Sequence, residues 1–275
     1  MIAVGEMRGK PRFNDYLERW QLTPDGEPIF TPTSKLLPVR SDGVPAMLKI
    51  AVHHEERLGG RLMNWWNGQG AARILAYAAD AILMERAEGG MSLADLARGG
   101  RDDEASRILC AVLTQLHAPR GRPPPGLVPL ARWFEALEPA AEALGGILRV
   151  SATTASSLLT TQDDIVALHG DLHHSNVLYF GPRGWLAIDP KGLIGERYFD
   201  YANIFCNPDI ETAATPDRLA RQATVVAESA NLERNRLLAW VLAWAGLSAA
   251  FLREDGLLPD GALRIAELAA AELNR

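Results

Sequence analysis

The strongest constraint on this chain is a polar segment, His169-Gly170-Asp171-Leu172-His173-His174-Ser175-Asn176, that separates two short apolar runs. The second run ends in Ile188-Asp189-Pro190. Short apolar runs bounded by turn-forming residues are typical of buried strands. We therefore predict a loop that leads into a hairpin, with Asp189 at the end of its returning strand. This arrangement brings the side chains of Asp171, Asn176 and Asp189 close together at one end of the hairpin.

Such a set of polar side chains meets the requirements of phosphoryl transfer. That reaction needs charge neutralisation and alignment more than covalent help from the protein. An Asn amide oxygen and an Asp carboxylate are hard ligands that suit Mg²⁺ bridging phosphates. A separate carboxylate beside an incoming hydroxyl group can orient that group and accept its proton. The segment therefore indicates the chemistry of a kinase.

The rest of the chain divides into a strand-rich part and a helical part. The first part is predicted to hold a helix at 53–66 and four strands, at 36–40, 45–51, 73–77 and 81–84. Beyond it, apolar residues recur at three- and four-residue spacings, which predicts helices at 91–98, 102–117, 130–147, 152–160, 213–228, 231–253 and 259–274. We predict an α+β fold of two lobes. Residues 1–86 form a small antiparallel-sheet lobe, and residues 87–275 form a larger, mainly helical lobe.

Charge and composition argue against several other classes of protein. A net charge of −6 makes a general nucleic-acid-binding surface unexpected, so we predict no nucleic-acid partner. Met1 is followed by no apolar signal segment, which predicts a cytoplasmic protein. The apolar stretch at 237–252 is too short for a membrane span, so we predict a buried core helix and no membrane partner. Cys110 and Cys206 cannot make a disulfide framework.

The polar segment also resembles a known family. His-x-Asp-x4-Asn followed by Ile-Asp is similar to the catalytic and metal-binding segments of eukaryotic-like kinases, which implies a protein-kinase-like fold. The fuller pattern, His-Gly-Asp-Leu-His-His-x-Asn and then Trp-Leu-x-Ile-Asp-Pro-x-Gly-Leu, resembles the aminoglycoside phosphotransferases. It is most similar to their streptomycin phosphotransferase branch, the aminoglycoside/hydroxyurea antibiotic resistance kinases. The resemblance includes Asn64-Trp65-Trp66-Asn67-Gly68-Gln69-Gly70 and covers residues 31–207.

The resemblance implies a role for each residue of the site. Asp171 is expected to be the catalytic base, with Asn176 and Asp189 as the Mg²⁺ ligands. Lys49 matches the lysine that pairs with the nucleotide phosphates, and Glu56 matches the glutamate that holds this lysine. A lone lysine on an apolar strand needs a carboxylate partner in any case, so the pairing is independently reasonable.

Further residues are expected to bind the nucleotide, which is ATP or GTP. Residues 83–87 match the hinge between the lobes, where the backbone of Glu85 and Ala87 meets the base. The loop Thr31-Pro32-Thr33-Ser34-Lys35 contains no glycine, so hydroxyl groups such as that of Ser34 are expected to cover the phosphates.

The acceptor implied by the resemblance is an aminoglycoside such as streptomycin, phosphorylated to confer resistance. A polycationic acceptor needs carboxylates near the reacting hydroxyl. Our candidates are Asp200, Glu254 and Asp255, with His173 as a further contact. Asp200 is also expected to anchor the catalytic loop by hydrogen bonds, and His173 has an equal claim to shaping that loop.

Alternatives remain open at this point. Kinases of other small metabolites, such as choline, fructosamines or methylthioribose, share the same apparatus. A different class is a zinc metallohydrolase that uses the His169–His174 cluster.

Only four of the 28 basic residues are lysines, which makes each lysine notable. Lys191 is predicted to be a surface cation, with a contact to the phosphates as the alternative.

Overall fold

The computed structural model describes residues 12–87 and 89–275. The elements of its first part, in chain order, are α1 (Phe13–Arg19), β1 (Thr23–Pro24), β2 (Ile29–Phe30), β3 (Ser34–Ser41), β4 (Val44–Ala51), α2 (His54–Trp66), β5 (Ile74–Ala78) and β6 (Ala81–Glu85). The strands form an antiparallel sheet with the order β1-β3-β4-β6-β5, and β2 pairs with β3.

The second part is mainly helical. Its elements are α3 (Leu93–Leu96), α4 (Asp102–Leu116), β7 (Val128–Pro129), α5 (Leu130–Trp133), α6 (Leu137–Leu144), α7 (Gly146–Thr160), β8 (Ile165–Leu168), β9 (Val177–Tyr179), β10 (Trp185–Ala187), β11 (Leu193–Glu196), α8 (Tyr198–Ala202), α9 (Ile210–Ala213), α10 (Arg218–Ala230), α11 (Arg234–Glu254) and α12 (Asp260–Leu273). The predicted α+β class, with a sheet lobe and a helical lobe, is confirmed. The boundary between residues 86 and 87 stays a prediction.

The β3–β4 hairpin forms because its turn residues tolerate left-handed backbone angles. Asp42 and Gly43 have φ angles of 49° and 78°, which allow the tight turn between Ser41 and Val44. The hairpin then places Lys49 on the strand that pairs with β6. Apolar side chains of β3, β4 and β6 form the core of this lobe.

Helix α2 lies between the sheet and the segment that follows β10. It ends at Asn67, whose left-handed conformation (φ 48°) stops the helix as its sequence predicts. Glycines on both sides allow an unusually close approach to the segment that follows β10. A Cβ on Gly59 would lie 2.0 Å from the Pro190 carbonyl oxygen, and one on Gly192 would lie 2.8 Å from the Leu58 Cβ.

The helical lobe is built around α11, which packs against α7, α8 and α12. Among the helices of the described residues, α11 alone is long and apolar enough by composition to cross a bilayer. Most of its apolar side chains are buried by its neighbours, Trp240 completely. The core of a helical lobe therefore accounts for its apolar sequence.

The observed helices differ from the predicted ones where proline and glycine interrupt them. The single helix predicted at 130–147 is broken into α5, a 3₁₀ turn at Phe134–Ala136, and α6. Pro139 lies in the first turn of α6, where its missing N–H is tolerated, and Gly145 with φ 64° ends this helix. Strand β11 was not predicted, because its partners β7 and β8 are remote in sequence.

Candidate active site

The polar segment at 169–176, called the catalytic segment from here on, begins at the end of β8 and is held in place by Asp200. One Asp200 oxygen accepts the backbone N–H of His169 at 2.8 Å and the other accepts that of Gly170 at 2.7 Å. The His117 ring lies 2.8 Å from the same carboxylate. Asp200 is only 1% exposed. The prediction that it contacts the acceptor is therefore wrong, and it acts as the anchor of the loop, the other role that the sequence indicated.

Asp171 projects from this loop with its two oxygens in different surroundings. Oδ1 accepts a 3.0 Å hydrogen bond from the Asn203 side chain, which fixes the plane of the carboxylate. Oδ2 lies 3.7 Å from the Lys191 ammonium. Asn203 is held in turn by Asn207, whose amide donates to the Asn203 side-chain oxygen at 2.8 Å. This arrangement leaves Oδ2 as the oxygen suited to accept a proton from a substrate.

Asn203 was missed by the sequence reasoning, although a signal was present. Asp200 and Asn203 lie three residues apart, the spacing that places two side chains on one face of a helix. Since Asp200 was already expected to anchor the catalytic loop, a second polar residue on the same face was a candidate for contact with that loop.

Asn176 lies next to Asp171 and begins the β9–β10 hairpin. Its side-chain nitrogen donates to the Asp171 carbonyl at 2.8 Å, so its side-chain oxygen is not used in that contact. Its backbone carbonyl accepts the Ile188 N–H at 2.9 Å, which brings the start of the hairpin beside its end. The predicted hairpin thus brings Asn176 and Asp189 to the same place as Asp171.

Lys49 joins the two lobes at this point. Its ammonium pairs with Glu56 of α2 and with one oxygen of Asp189. Lys49 and Glu56 are 8% and 6% exposed, so this is a buried charge cluster. Burial alone would raise the pKa of Asp189, but the charge and hydrogen bond of Lys49 outweigh it and hold the pKa below its usual value. Asp189 is therefore ionised, and with the amide oxygen of Asn176 it offers the hard donor set that Mg²⁺ prefers.

The hinge and the loop before Lys49 differ in how accessible they are. The Glu85 carboxylate accepts the Arg73 N–H at 2.6 Å and pairs with Arg183 of the β9–β10 turn. The Glu85 N–H donates to the Arg73 carbonyl at 3.0 Å, so this N–H is not available to a nucleotide base. The contacts of Glu85 and Ala87 with the base stay a prediction. Ser34 is 2% exposed and its hydroxyl is buried, so its predicted contact with phosphates is wrong.

A cavity of about 840 Å³ opens beside the catalytic segment. It extends from Lys191 to the end of α11, where Glu254 and Asp255 line it as predicted candidates for an acceptor site. Other residues on its wall include Glu55, Gly126, Arg132, Trp133, Glu135 and Phe251. The cavity is therefore rich in carboxylates and also carries two aromatic rings.

His173 does not line this cavity. Its Nδ1 accepts the Ser175 N–H at 3.2 Å, which folds the loop back on itself. Burial lowers the pKa of His173 below its usual value, so the ring is neutral near pH 7. The structure therefore corrects the predicted acceptor contact and favours the loop-shaping role.

Lys191 is not the surface cation that the sequence predicted. Its backbone N–H donates to the His169 carbonyl at 2.7 Å, and its side chain is half-buried beside Asp171. Burial lowers the pKa of Lys191, but the negative charges of Asp171 and Asp189 outweigh this effect and the pKa is raised. The ammonium is therefore charged at its position between Asp171 and the cavity.

The histidines of the catalytic segment do not form a metal site. The His169 ring lies between the Ile188 carbonyl at 2.8 Å and the Asp171 N–H at 3.2 Å, so both of its nitrogens have backbone partners. Within residues 12–87 and 89–275, no three His, Cys, Asp or Glu side chains come together as metal ligands. The zinc metallohydrolase alternative therefore has no site in this part of the chain.

Comparison with known proteins agrees with this geometry. The family model of aminoglycoside/hydroxyurea antibiotic resistance kinases matches residues 19–256. The streptomycin 3''-kinase of Klebsiella pneumoniae is 52% identical over 245 residues, which are 87% of this chain and 92% of that protein. The streptomycin 6-kinase of Streptomyces griseus is 32% identical over 272 residues, 93% of this chain and 86% of that protein.

Solved structures show the same fold at low sequence identity. A thermostable mutant of aminoglycoside phosphotransferase APH(4)-Ia, in a ternary complex with ADP and hygromycin B, has a TM-score of 0.62 at 12% identity; the match covers 95% of this chain and 97% of that one. The choline kinase of Streptococcus pneumoniae has a TM-score of 0.59 at 14% identity, with coverages of 95% and 98%. The protein-kinase-like fold is confirmed.

Proposed function

The chain belongs to the aminoglycoside/hydroxyurea antibiotic resistance kinases and is a small-molecule kinase with a nucleotide co-substrate, and we propose that it phosphorylates streptomycin. The phosphoryl donor in this proposal is ATP, with GTP as the alternative, and the acceptor group is the 3'' hydroxyl. The relative that is 52% identical is named for that position. ATP as donor fits the cytoplasmic location that the sequence predicts.

One observation of the structure supports a cationic acceptor above all. The 840 Å³ cavity extends from Lys191, beside Asp171, to the carboxylates of Glu254 and Asp255. Streptomycin carries two guanidinium groups, and carboxylates pair with guanidinium in a bidentate manner. A hydroxyl of such an acceptor can then lie at Asp171 while its cations lie at the end of α11.

The residues of the site have the following roles in this proposal. Asp171 accepts the proton of the hydroxyl group through Oδ2, while Asn203 keeps its carboxylate oriented. Asn176 and Asp189 would hold Mg²⁺, which would neutralise the charge of the ATP phosphates. Lys49 binds the phosphates of the nucleotide, and Glu56 positions Lys49.

A second candidate acceptor is a small quaternary ammonium alcohol of the choline type. Trp133 and Phe251 line the same cavity and pack edge to face, with ring centroids 5.6 Å apart. Aromatic faces attract quaternary ammonium groups, which form no hydrogen bonds. This candidate differs from streptomycin because it does not need the carboxylates of α11 to form bidentate pairs.

A phosphate-transfer screen separates these candidates. Purified protein with Mg-ATP is assayed on streptomycin, choline and hydroxyurea, and the product is assigned by phosphorus and proton NMR. We expect turnover of streptomycin with phosphorus at the 3'' position. Asp171→Asn should lower kcat at least about 100-fold with little change in nucleotide affinity. Streptomycin left unmodified by the parent, or near-normal turnover by Asp171→Asn, contradicts the proposal.

The acceptor pocket is tested by variants at the end of α11. Glu254→Gln and Asp255→Asn should raise KM for streptomycin while kcat stays close to the parent value, because they remove binding and leave the chemical groups in place. High salt should also raise the KM of the parent for streptomycin, since dissolved ions screen exposed ion pairs. Glu228→Gln, which removes an exposed carboxylate of α10 outside this cavity, serves as the control.

A further inference from the structure

Lys191 has a position that the roles above do not explain. It is one of only four lysines in a chain that uses arginine for its other basic residues. It lies half-buried, with its side chain on the wall of the proposed acceptor cavity and its ammonium 3.7 Å from Asp171. An ammonium group is unexpected at this position, because a positive charge at this end of the cavity repels a cationic acceptor.

The backbone around Lys191 is held rigidly. Its N–H donates to the His169 carbonyl at 2.7 Å, which ties it to the catalytic segment. The residues on either side, Pro190 and Gly192, pack directly against α2. The Cα position is therefore fixed, and only the flexible side chain can move between partners.

The present partner of the ammonium is loosely held. Nζ lies 3.7 Å from Asp171 Oδ2, which is an ion-pair distance but too long for a hydrogen bond. The long contact leaves the donors of the ammonium free for another oxygen.

We propose that Lys191 is a catalytic residue whose ammonium moves from Asp171 to an oxygen of the transferred phosphoryl group. The inference rests on the proposed kinase reaction with an alcohol acceptor. In that reaction, the acceptor oxygen forms a bond to the γ-phosphorus, and the bond from phosphorus to the β,γ-bridging oxygen breaks. The electron pair of the broken bond leaves with ADP, and the hydroxyl proton goes to Asp171 Oδ2.

The proton transfer explains why the ammonium changes partner. Once Asp171 has taken the proton, it no longer carries the charge that held Lys191. The oxygens of the transferred phosphoryl group become the nearest strong anion beside the acceptor. Lys191 thus interacts more strongly with the transition state and product than with the resting site, which is the condition for accelerating the reaction. A lysine suits this role because its ammonium is a compact point charge on a flexible stem.

The test separates transition-state binding from nucleotide binding. Lys191→Met keeps a flexible unbranched side chain, one atom shorter, and removes its charge. We expect kcat to fall about 100-fold to 1,000-fold, the loss typical of removing one group that stabilises transition-state charge. The KM values for ATP and acceptor should change less than about threefold, since the contact is made late in the reaction. Lys191→Arg keeps the charge and should recover part of kcat.

A binding experiment gives a readout independent of turnover. Calorimetry measures the Kd of Mg-ADP alone and of Mg-ADP with aluminium fluoride and acceptor, a mimic of the transferring phosphoryl group. Lys191→Met should weaken only the second complex, by about the factor lost in kcat. Equal loss in both complexes, or loss in neither, overturns the role of Lys191.

Failure of the Lys191 proposal can be distinguished from failure of the streptomycin proposal. The parent is first assayed on each acceptor of the screen, and the Lys191 experiments use whichever acceptor it phosphorylates. Turnover of choline and not streptomycin refutes the proposed acceptor, while a selective loss of the aluminium fluoride complex in Lys191→Met still supports the catalytic role. Turnover of streptomycin with unchanged kcat in Lys191→Met refutes the Lys191 inference alone.

Discussion

The substitution Gly59→Ala tests whether close packing of α2 holds the nucleotide site together. In an isolated helix this change is favourable by about 1 kcal/mol, because alanine has the higher helix propensity. In this protein a Cβ at position 59 would lie 2.0 Å from the Pro190 carbonyl oxygen, a distance that real Cβ atoms do not show. The obstacle is backbone, so rotation of a side chain cannot relieve it. Helix α2 must move by about 1 Å from the segment that carries Asp189.

The displacement affects stability and activity differently. Overpacking of this kind costs about 1–3 kcal/mol, which the gain in helix propensity partly offsets. The net loss of stability is therefore about 2 kcal/mol or less. Glu56 lies on the same helix, so the shift also moves the carboxylate that positions Lys49. A misplacement of about 1 Å in a catalytic site can cost about 100-fold in rate, and we expect a loss of kcat of that order.

Two further glycines of the chain provide matched controls. Gly99→Ala places a Cβ in open space in the π-helical turn between α3 and α4, so it should change stability by no more than about 0.5 kcal/mol and leave kcat unchanged. Gly60→Ala lies beside Gly59 on α2, but its Cβ meets only a methyl group of Ile82 at 3.1 Å, so its effect should be intermediate. Thermal melting and steady-state kinetics are measured for all three. If Gly59→Ala melts and turns over like Gly99→Ala, the packing argument is refuted.

The buried Lys49–Glu56 pair, the Asp200 hydrogen bonds and the Cys110 thiol can each be tested separately. Lys49→Ala and Glu56→Ala should each reduce kcat/KM strongly, and the double variant should lose much less than the sum of the two free energies; additive losses measured in a kinetic double-mutant cycle contradict the pairing. Asp200→Asn should leave a buried N–H of the catalytic loop without its acceptor and cost about 1–3 kcal/mol in urea unfolding, whereas an unchanged midpoint contradicts the anchoring role. Burial raises the pKa of the Cys110 thiol to about 12, so only about one part in ten thousand is thiolate at pH 8 and reactivity increases only as the pH approaches 12. In a Cys206→Ser background, a thiol reagent at pH 8 should therefore label Cys110 only as fast as the protein unfolds, and rapid labelling of the native protein shows this reasoning to be wrong.

The chemistry near the catalytic segment is largely readable from the sequence. Asp171, Asn176 and Asp189 lie on one loop and one hairpin, so short-range turn geometry is enough to bring them together. The Lys49–Glu56 pair is similar, because the strand and the helix that carry them are consecutive. A charged residue in an apolar stretch also predicts a nearby partner of opposite charge, since a buried charge must be paired.

The sequence by itself thus determined the two-lobed α+β class and identified the residues that we propose for the phosphoryl-transfer chemistry. Only the tertiary structure decided which polar residues are buried and which line the cavity. Asp200 and Ser34 are polar in sequence but buried in the fold, and Lys191 is brought from an expected surface position to the side of Asp171. The cavity that reaches α11 likewise joins residues far apart along the chain. Burial depends on which remote elements cover a residue, and local periodicity contains no information about those elements.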